Sequence, residues 1–533
     1  MMIMDASHKE HGFRSIRTVM VALVLLFPVA ACDGGNGKQA DGDAPDEGDR
    51  IDFADGEAMP DMPVDAVPVE DIRIEDAGDE EGPPPPAGPL RAHPDNPRYF
   101  VDASGKTVRL AGHQIFVDLQ DNSFNKATIY GGATTLDWNW YLDFARERGL
   151  NFLRNWIIWS YGSGEMADDR GAVATPMIYA RTGPGTALDG NPAFDLAVYD
   201  EAFFQRLHDR LAQAGERGIY VSVMLFEVYG FGDGEEVDGF SLWDGNMLHG
   251  PNNVQGVDMD PDGNGWGIEF FYTTDEDILE MQRDYVRKVI DSVNDLDNVI
   301  YEIANELHAP EWQIAMIDLI KTYEAGKPKQ HLVLMSPGGR NETGGWTLMP
   351  KSTLTDSDAD VFAVAEGWGG YEDPPVETAG MPVFWDNDHV WVAGWDHHRM
   401  PWMVFTRGYH YTLYDAPFES PDQESAEWEL IRFNIGATVS YGERAADLAA
   451  MEPRGDLSST GYCLADPGTD YIVYQPSSSA EFTVTLEAGS YAYEWYDPGS
   501  VRVAETGSVS SSGGSEAFTA PFEGDAVLYL HAE

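Results

Sequence analysis

Between about residue 97 and residue 447 the chain alternates short apolar runs with longer amphipathic stretches. This alternation restricts the available folds more than any other feature. Residues 108–112 read as a strand, 135–149 as an amphipathic helix, and 151–159 as a second, buried strand. Residues 199–218 are helical in pattern and 219–226 form a third strand. In the helix that begins near Thr274, Ile278, Met281, Tyr285, Val289 and Val293 recur at three- and four-residue steps and so share one buried face. Residues 298–303 make a fourth strand, and 331–335, 360–364, 382–385 and 409–413 supply four more. Helices near 310–325, 398–407 and 421–447 lie between or after them. Strand–helix alternation on this scale predicts a parallel sheet flanked by helices, and eight strands predict a closed (β/α)8 TIM barrel. No Gly-rich phosphate-binding turn follows the first strand, which argues against a dinucleotide fold. Segments 160–198 and 228–273 are too long for ordinary connections and both follow strands, which predicts a position on the catalytic face.

Both ends of the chain differ from this body. Lys9, Arg14 and Arg17 precede an apolar run, 19–31, that ends directly at Cys32. Thirteen apolar residues are too few to span about 30 Å of hydrocarbon. A basic flank followed by a short apolar centre predicts an export signal over 1–31. Val29-Ala30-Ala31-Cys32 resembles a lipobox, which implies lipidation at Cys32, a membrane anchor and a place in the cell envelope, facing periplasm or exterior. Residues 32–93 are rich in Asp, Glu, Gly and Pro, with four consecutive prolines from Pro83, and predict a disordered tether. The barrel is expected over 94–455. From 456 to 533 strict alternation, as in Phe482, Val484 and Leu486 and again in Tyr491, Tyr493 and Trp495, predicts a small all-β sandwich. The chain has 91 acidic and 33 basic residues, net −58, a surface that repels phosphate backbones and makes nucleic acid an unlikely partner class. With Cys32 lipidated, Cys463 has no partner for a disulfide and reads as a buried strand thiol.

The local feature richest in chemistry is Val299–Glu306, an apolar strand that ends in Asn305-Glu306. In a barrel frame this puts a carboxyl group at the active mouth; a helix-capping pair is the competing reading. The segment resembles the fourth strand of the clan of retaining barrel glycosidases. That resemblance implies that Glu306 protonates the leaving glycosidic oxygen and that Asn305 bonds the sugar's 2-hydroxyl. Arg154, in Leu-Arg-Asn-Trp at the end of the second strand, matches the clan's nucleophile-orienting arginine, with a structural ion pair as the equal alternative. The clan carries its second carboxylate as Glu at the end of the seventh strand, where this chain reads Trp385-Asp386-Asn387-Asp388-His389. Asp386 and Asp388 are therefore the partner candidates, with Glu366 a third. Carboxyl groups about 5 Å apart imply retention, and about 6.5–9.5 Å inversion.

A wider set of motifs is similar to bacterial cellulase-like barrel lipoproteins. It comprises residues 96–100, 110–113 and 119–121, Asp386-Asn387-Asp388-His389 with Val390-Trp391, Phe405-Thr406-Arg407-Gly408, and residues 460–465. The resemblance covers about 94–533 and implies a glycoside hydrolase barrel followed by a collagen-binding-like domain. Trp156, Trp368 and Trp391 are then expected to stack on sugar rings, and His113 and His389 to hydrogen-bond substrate. No catalytic cofactor is required by this chemistry. Asp258, Asp260, Asp262, Asn264 and Glu269, with Gly263 at the sharp turn, fit the spacing of an EF-hand loop for a structural Ca2+ ion, with chance clustering of Asp in so acidic a chain as the competing reading.

The expected activity is hydrolysis of a polysaccharide or oligosaccharide by two carboxylates. The main alternative is a non-catalytic glycan- or matrix-binding lipoprotein on a degenerate barrel, suggested by the missing seventh-strand Glu. An adhesin acting through 457–533 is a third reading.

Overall fold

A computed structural model describes residues 84–116, 118–121, 136–161, 174–232, 236–237, 240–364, 373–387, 397–418, 425–476 and 480–533. Eight parallel strands close into a barrel in sequence order. They are β1 (Ala111–Ile115), β2 (Phe152–Trp156), β3 (Tyr220–Glu227), β4 (Val299–Asn305), β5 (Leu332–Met335), β6 (Val361–Val364), β7 (Val383–Asn387) and β8 (His410–Tyr414). Seven described helices follow strands on the outside: α1 (Trp138–Glu147), α2 (Glu201–Glu216), α3 (Glu276–Val293), α4 (Pro310–Glu324), α5 (Lys351–Thr355), α6 (Met400–Thr406) and α7 (Ala426–Arg444). Asp137, Asp200 and Asp275 cap α1, α2 and α3 by accepting from the backbone N–H of Trp140, Ala202 and Asp277. Each cap satisfies a donor that the first helical turn leaves open.

The first barrel strand lies a few residues beyond the expected 108–112. Thr107–Val108 instead pairs with Phe100–Val101, which pairs with Arg91–Ala92, in a separate three-stranded sheet. This sheet helps close the barrel from below: Leu90, Phe100, Val108 and Leu110 join Phe152, Tyr220, Ile300, Leu332, Leu334, Val361, Ala363 and Phe384 in one buried apolar cluster. Two residues further along the strands the interior becomes polar, with Gln114, Arg154, Ser222, Glu302 and Asp386 all buried. The alternation of a strand explains both layers, because Phe152 and Arg154, Ile300 and Glu302, and Phe384 and Asp386 are spaced by two and face the same side.

Of the two long segments, the first contains a hairpin, Tyr179–Thr186 with Pro192–Tyr199. The second contains, among its described residues, four 3-10 turns, including Tyr229–Phe231 and Ile268–Phe271. Both follow strand ends and so lie on the expected face of the barrel.

Six antiparallel strands form the C-terminal sheet: β9 (Glu452–Pro453), β10 (Cys463–Asp466), β11 (Asp470–Gln475), β12 (Phe482–Asp497), β13 (Arg502–Phe518) and β14 (Ala526–Ala532). Its first strand precedes residue 456. Phe482 and Trp495 are thirteen residues apart on β12, roughly 43 Å if straight, yet their ring centroids lie 5.9 Å apart. The long hairpin therefore doubles back near Ala488-Gly489 and makes a second layer over the sheet, with Cys463, Val473, Val484, Leu486 and Leu528 buried between. The free Cys463 thiol is buried, which pushes its pKa up to about 12. The other face packs on α6 and α7 through Trp402, Phe405, Phe433, Tyr441, Tyr474, Tyr496 and Tyr529. Arg444 on α7 adds an ion pair to Glu494 at 2.9 Å.

Candidate active site

The polar layer of the barrel is built around Arg154. Its Nε donates to Glu302 Oε2 at 2.9 Å, its Nη1 to Asp386 Oδ2 at 2.8 Å and Gln114 Oε1 at 2.7 Å, and its Nη2 to Asn305 Oδ1 at 2.8 Å. Gln114 Nε2 in turn donates to Asp386 Oδ1 at 3.3 Å, and Ser222 Oγ to Glu302 Oε2 at 2.8 Å. One guanidinium thus joins side chains from β1, β2, β4 and β7. Burying it between two carboxylates is tolerable because nearly every polar atom finds a partner. Trp156, the next inward residue of β2, donates its indole N–H to Gln114 Oε1 at 3.2 Å. Its ring lies edge-on to Phe116, with centroids 4.5 Å apart.

Glu306 follows β4 directly and is half-buried. Its φ of 53° is in the left-handed region, rare for a residue with a Cβ. The hairpin after β5, Gly338–Arg340 with Trp346–Leu348, holds it there. Arg340 N donates to Glu306 O at 2.7 Å, and a Cβ on Gly339 would lie 1.9 Å from the Glu306 carbonyl carbon. Strained backbone at a strand end recurs at functional sites.

A fourth carboxyl group, Glu227, was not expected from the sequence. It ends β3, pairs in register with Asn305, and is buried. Its Oε1 accepts from Trp159 N at 3.2 Å and its Oε2 from Gly230 N. Burial pushes its pKa up to about 8 against these hydrogen bonds, and the neighbouring charge of Glu306 adds to the rise. Glu227 therefore holds a proton near neutrality. Gln114 and Glu302 were also missed, although strand alternation alone marks both as inward-facing.

The same alternation corrects the expectation for His113. Gln114 points into the barrel, so His113 points out of it. It is fully buried, stacked on Tyr141 at 5.2 Å, with Nδ1 2.8 Å from Asp415 Oδ2. Burial lowers its pKa. A ring enclosed beneath α1 and α7 does not reach substrate.

Of the expected calcium loop, three residues are brought together. Carboxylate oxygens of Asp260, Asp262 and Glu269 come within 4.8 Å of one another. Asp258, however, accepts from Gly250 N at 3.1 Å, and Asn264 Nδ2 donates to Asp262 Oδ2 at 3.0 Å. The loop folds on its own backbone, with no helix leading into it, and the five-residue ligand set is not assembled. Asp388, His389, Trp391, Glu366, Trp368 and Cys32 lie outside the described residues. Among the described residues no helix is long and apolar enough to cross a membrane.

The strands define a closed (β/α)8 barrel with a buried polar layer near their C-terminal ends. The family described as "Domain of unknown function (DUF6298)" matches residues 172–339. No curated protein matches the chain. Among solved structures the chain is similar to a glycoside hydrolase family 5 protein from Bacteroides vulgatus ATCC 8482, with TM-score 0.55 and 12% identity over 85% of this chain and 95% of that one. It is also similar to a structure titled "Glycoside hydrolase", with TM-score 0.51 and 13% identity over 84% of this chain and 97% of that one. At this identity the likeness is one of fold.

Proposed function

We propose that this chain is an exported, lipid-anchored glycoside hydrolase that cleaves O-glycosidic bonds of an extracytoplasmic polysaccharide or oligosaccharide. The observation that carries the reading is the joining of Asn305, next to Glu306, to Asp386 across the barrel through Arg154. Chemistry of this kind needs an acid on one side of the scissile bond and a carboxylate on the other. Glu306 donates its proton to the glycosidic oxygen as the bond to the anomeric carbon breaks. Asp386, 2.8 Å from Arg154 Nη1, serves as the second carboxylate, attacking the anomeric carbon or taking a proton from the attacking water. Asp388 and Glu366 are the other candidates for this role. Asn305 and Arg154 orient the sugar and the carboxylate, and Trp156 offers an aromatic wall. Lipid on Cys32 and a tether over 32–93 hold the barrel at the cell envelope, where polymeric glycans are met.

Hydrolysis assays across a polysaccharide panel test the reading. Glu306→Gln is expected to lower kcat about a thousandfold, in keeping with the loss of a general acid, while fold and glycan binding persist. A fully active Glu306→Gln enzyme refutes the assignment. The second reading, a glycan-binding protein without catalysis, is favoured by one feature: β7 presents the shorter Asp386, engaged by both Arg154 and Gln114. Binding without turnover on every glycan decides for it.

A further inference from the structure

The hairpin that clamps Glu306 also carries an arginine between two indoles. Arg340 and Trp346 are directly paired across the hairpin. The guanidinium carbon of Arg340 is 6.0 Å from the Trp346 ring centroid and 5.4 Å from that of Trp266, which comes from the loop after β3. Trp346 is 50% exposed, a large apolar face left in water beside the strand ends. The arrangement is rigid. Gly344 lies against the Trp266 ring, where an added Cβ would meet it at 3.2 Å. Asn341 Nδ2 donates to Thr347 Oγ1 at 2.8 Å, and Asn341 Oδ1 accepts from Thr343 N and Gly345 N, both at 3.0 Å. Through its backbone Arg340 brackets Leu307, the residue after the candidate acid, donating to Glu306 O and accepting from His308 N at 2.9 Å.

The guanidinium donates to Gly344 O at 3.1 Å and makes no ion pair with any described residue, Glu342 in the adjoining turn included. Acidic residues outnumber basic ones 91 to 33, which sets apart an arginine near the strand ends with no carboxylate partner among the described residues. Its aromatic neighbours fix its direction and leave other N–H donors available. A planar guanidinium fork matches the two oxygens of a carboxylate or sulfate, and flanking indoles match the C–H faces of sugar rings.

We propose that Arg340, between Trp266 and Trp346, binds an anionic group, carboxylate or sulfate ester, on a sugar unit next to the bond presented to Glu306. The proposal rests on the glycosidase reading and names its substrate class. The strongly acidic surface opposes long-range attraction of such a ligand, so recognition comes from contact at hydrogen-bond distance and not from steering.

The test is binding to the full chain, by titration, of four probes: an oligogalacturonate, its methyl ester, a sulfated galactan oligosaccharide and its desulfated form. One acidic form is expected to bind at least about tenfold more tightly than its neutral counterpart, the scale of a hydrogen-bonded charge. The pair that shows the difference distinguishes uronate from sulfate. Arg340→Gln keeps the backbone clamp on Glu306 and should remove the preference while sparing the neutral form; Trp346→Ala should weaken both forms alike. Circular dichroism checks that each variant is folded. Equal binding of acidic and neutral forms, no binding of any acidic form, or a preference that survives Arg340→Gln overturns the proposal. Absence of any preference in the unaltered chain with glycan cleavage intact overturns only this inference, whereas an intact preference without cleavage of any glycan overturns only the hydrolase reading.

Discussion

Glu227→Gln probes how the barrel treats a buried carboxyl group beside Glu306. In the folded protein burial pushes Glu227 up to about 8, whereas an unfolded chain gives it an ordinary value near 4.3. Between those values the unfolded chain loses the proton and the folded one keeps it. The native state then binds more protons, and stability falls as pH rises. The fall begins near the unfolded pKa and levels off above about 8. At 1.36 kcal/mol per unit the separation corresponds to about 5 kcal/mol across the window. Glutamine cannot ionise, so its variant lacks this slope. It carries instead a pH-independent cost of about 1–3 kcal/mol, because Trp159 N and Gly230 N each donate to a separate carboxyl oxygen and one must now face the amide N–H2. Urea unfolding of the barrel, followed by tryptophan fluorescence at pH 5, 7 and 9, measures the difference between the two proteins. That difference should shift steadily in favour of the variant as pH rises. Infrared spectra should show a protonated carboxyl band at pH 7 that Glu227→Gln removes. A stability difference independent of pH, together with no such band, refutes the reasoning.

Two further outcomes follow from the same site. Arg154→Ala leaves Glu302 and Asp386 buried without a countercharge and should cost about 3–5 kcal/mol; an unchanged melting temperature contradicts this. Gly339→Ala forces a Cβ into the Glu306 carbonyl, and the resulting misplacement should lower kcat about a hundredfold while the rest of the fold melts cooperatively; full activity shows that the clamp does not position Glu306.

The barrel was legible because its signals are local. Periods of two and of three to four residues record which face of a strand or helix meets the core, and Asp137, Asp200 and Asp275 mark helix starts before any tertiary contact exists. Val299–Asn305 announced itself in this way, as did the segment carrying Arg154. The same signal, followed one residue further, would have exchanged His113 for Gln114, since adjacent strand residues face opposite sides. In the calcium loop, spacing alone does not record that Asp258 turns to the Gly250 backbone while Asp260, Asp262 and Glu269 converge.

What sequence could not supply is contact between distant residues. Arg154 and Asp386 are 232 positions apart, yet barrel closure brings them to 2.8 Å. Glu227 lay just past the strand expected over 219–226 until its pairing with Asn305 placed it beside Glu306. Trp266, Arg340 and Trp346 come from two loops with no shared period. Sequence by itself determined the order of strands and helices and the carboxyl at the end of the fourth strand. Only the tertiary structure decided which charges share the barrel's interior, because a charge takes its partner and its pKa from neighbours that chain closure selects.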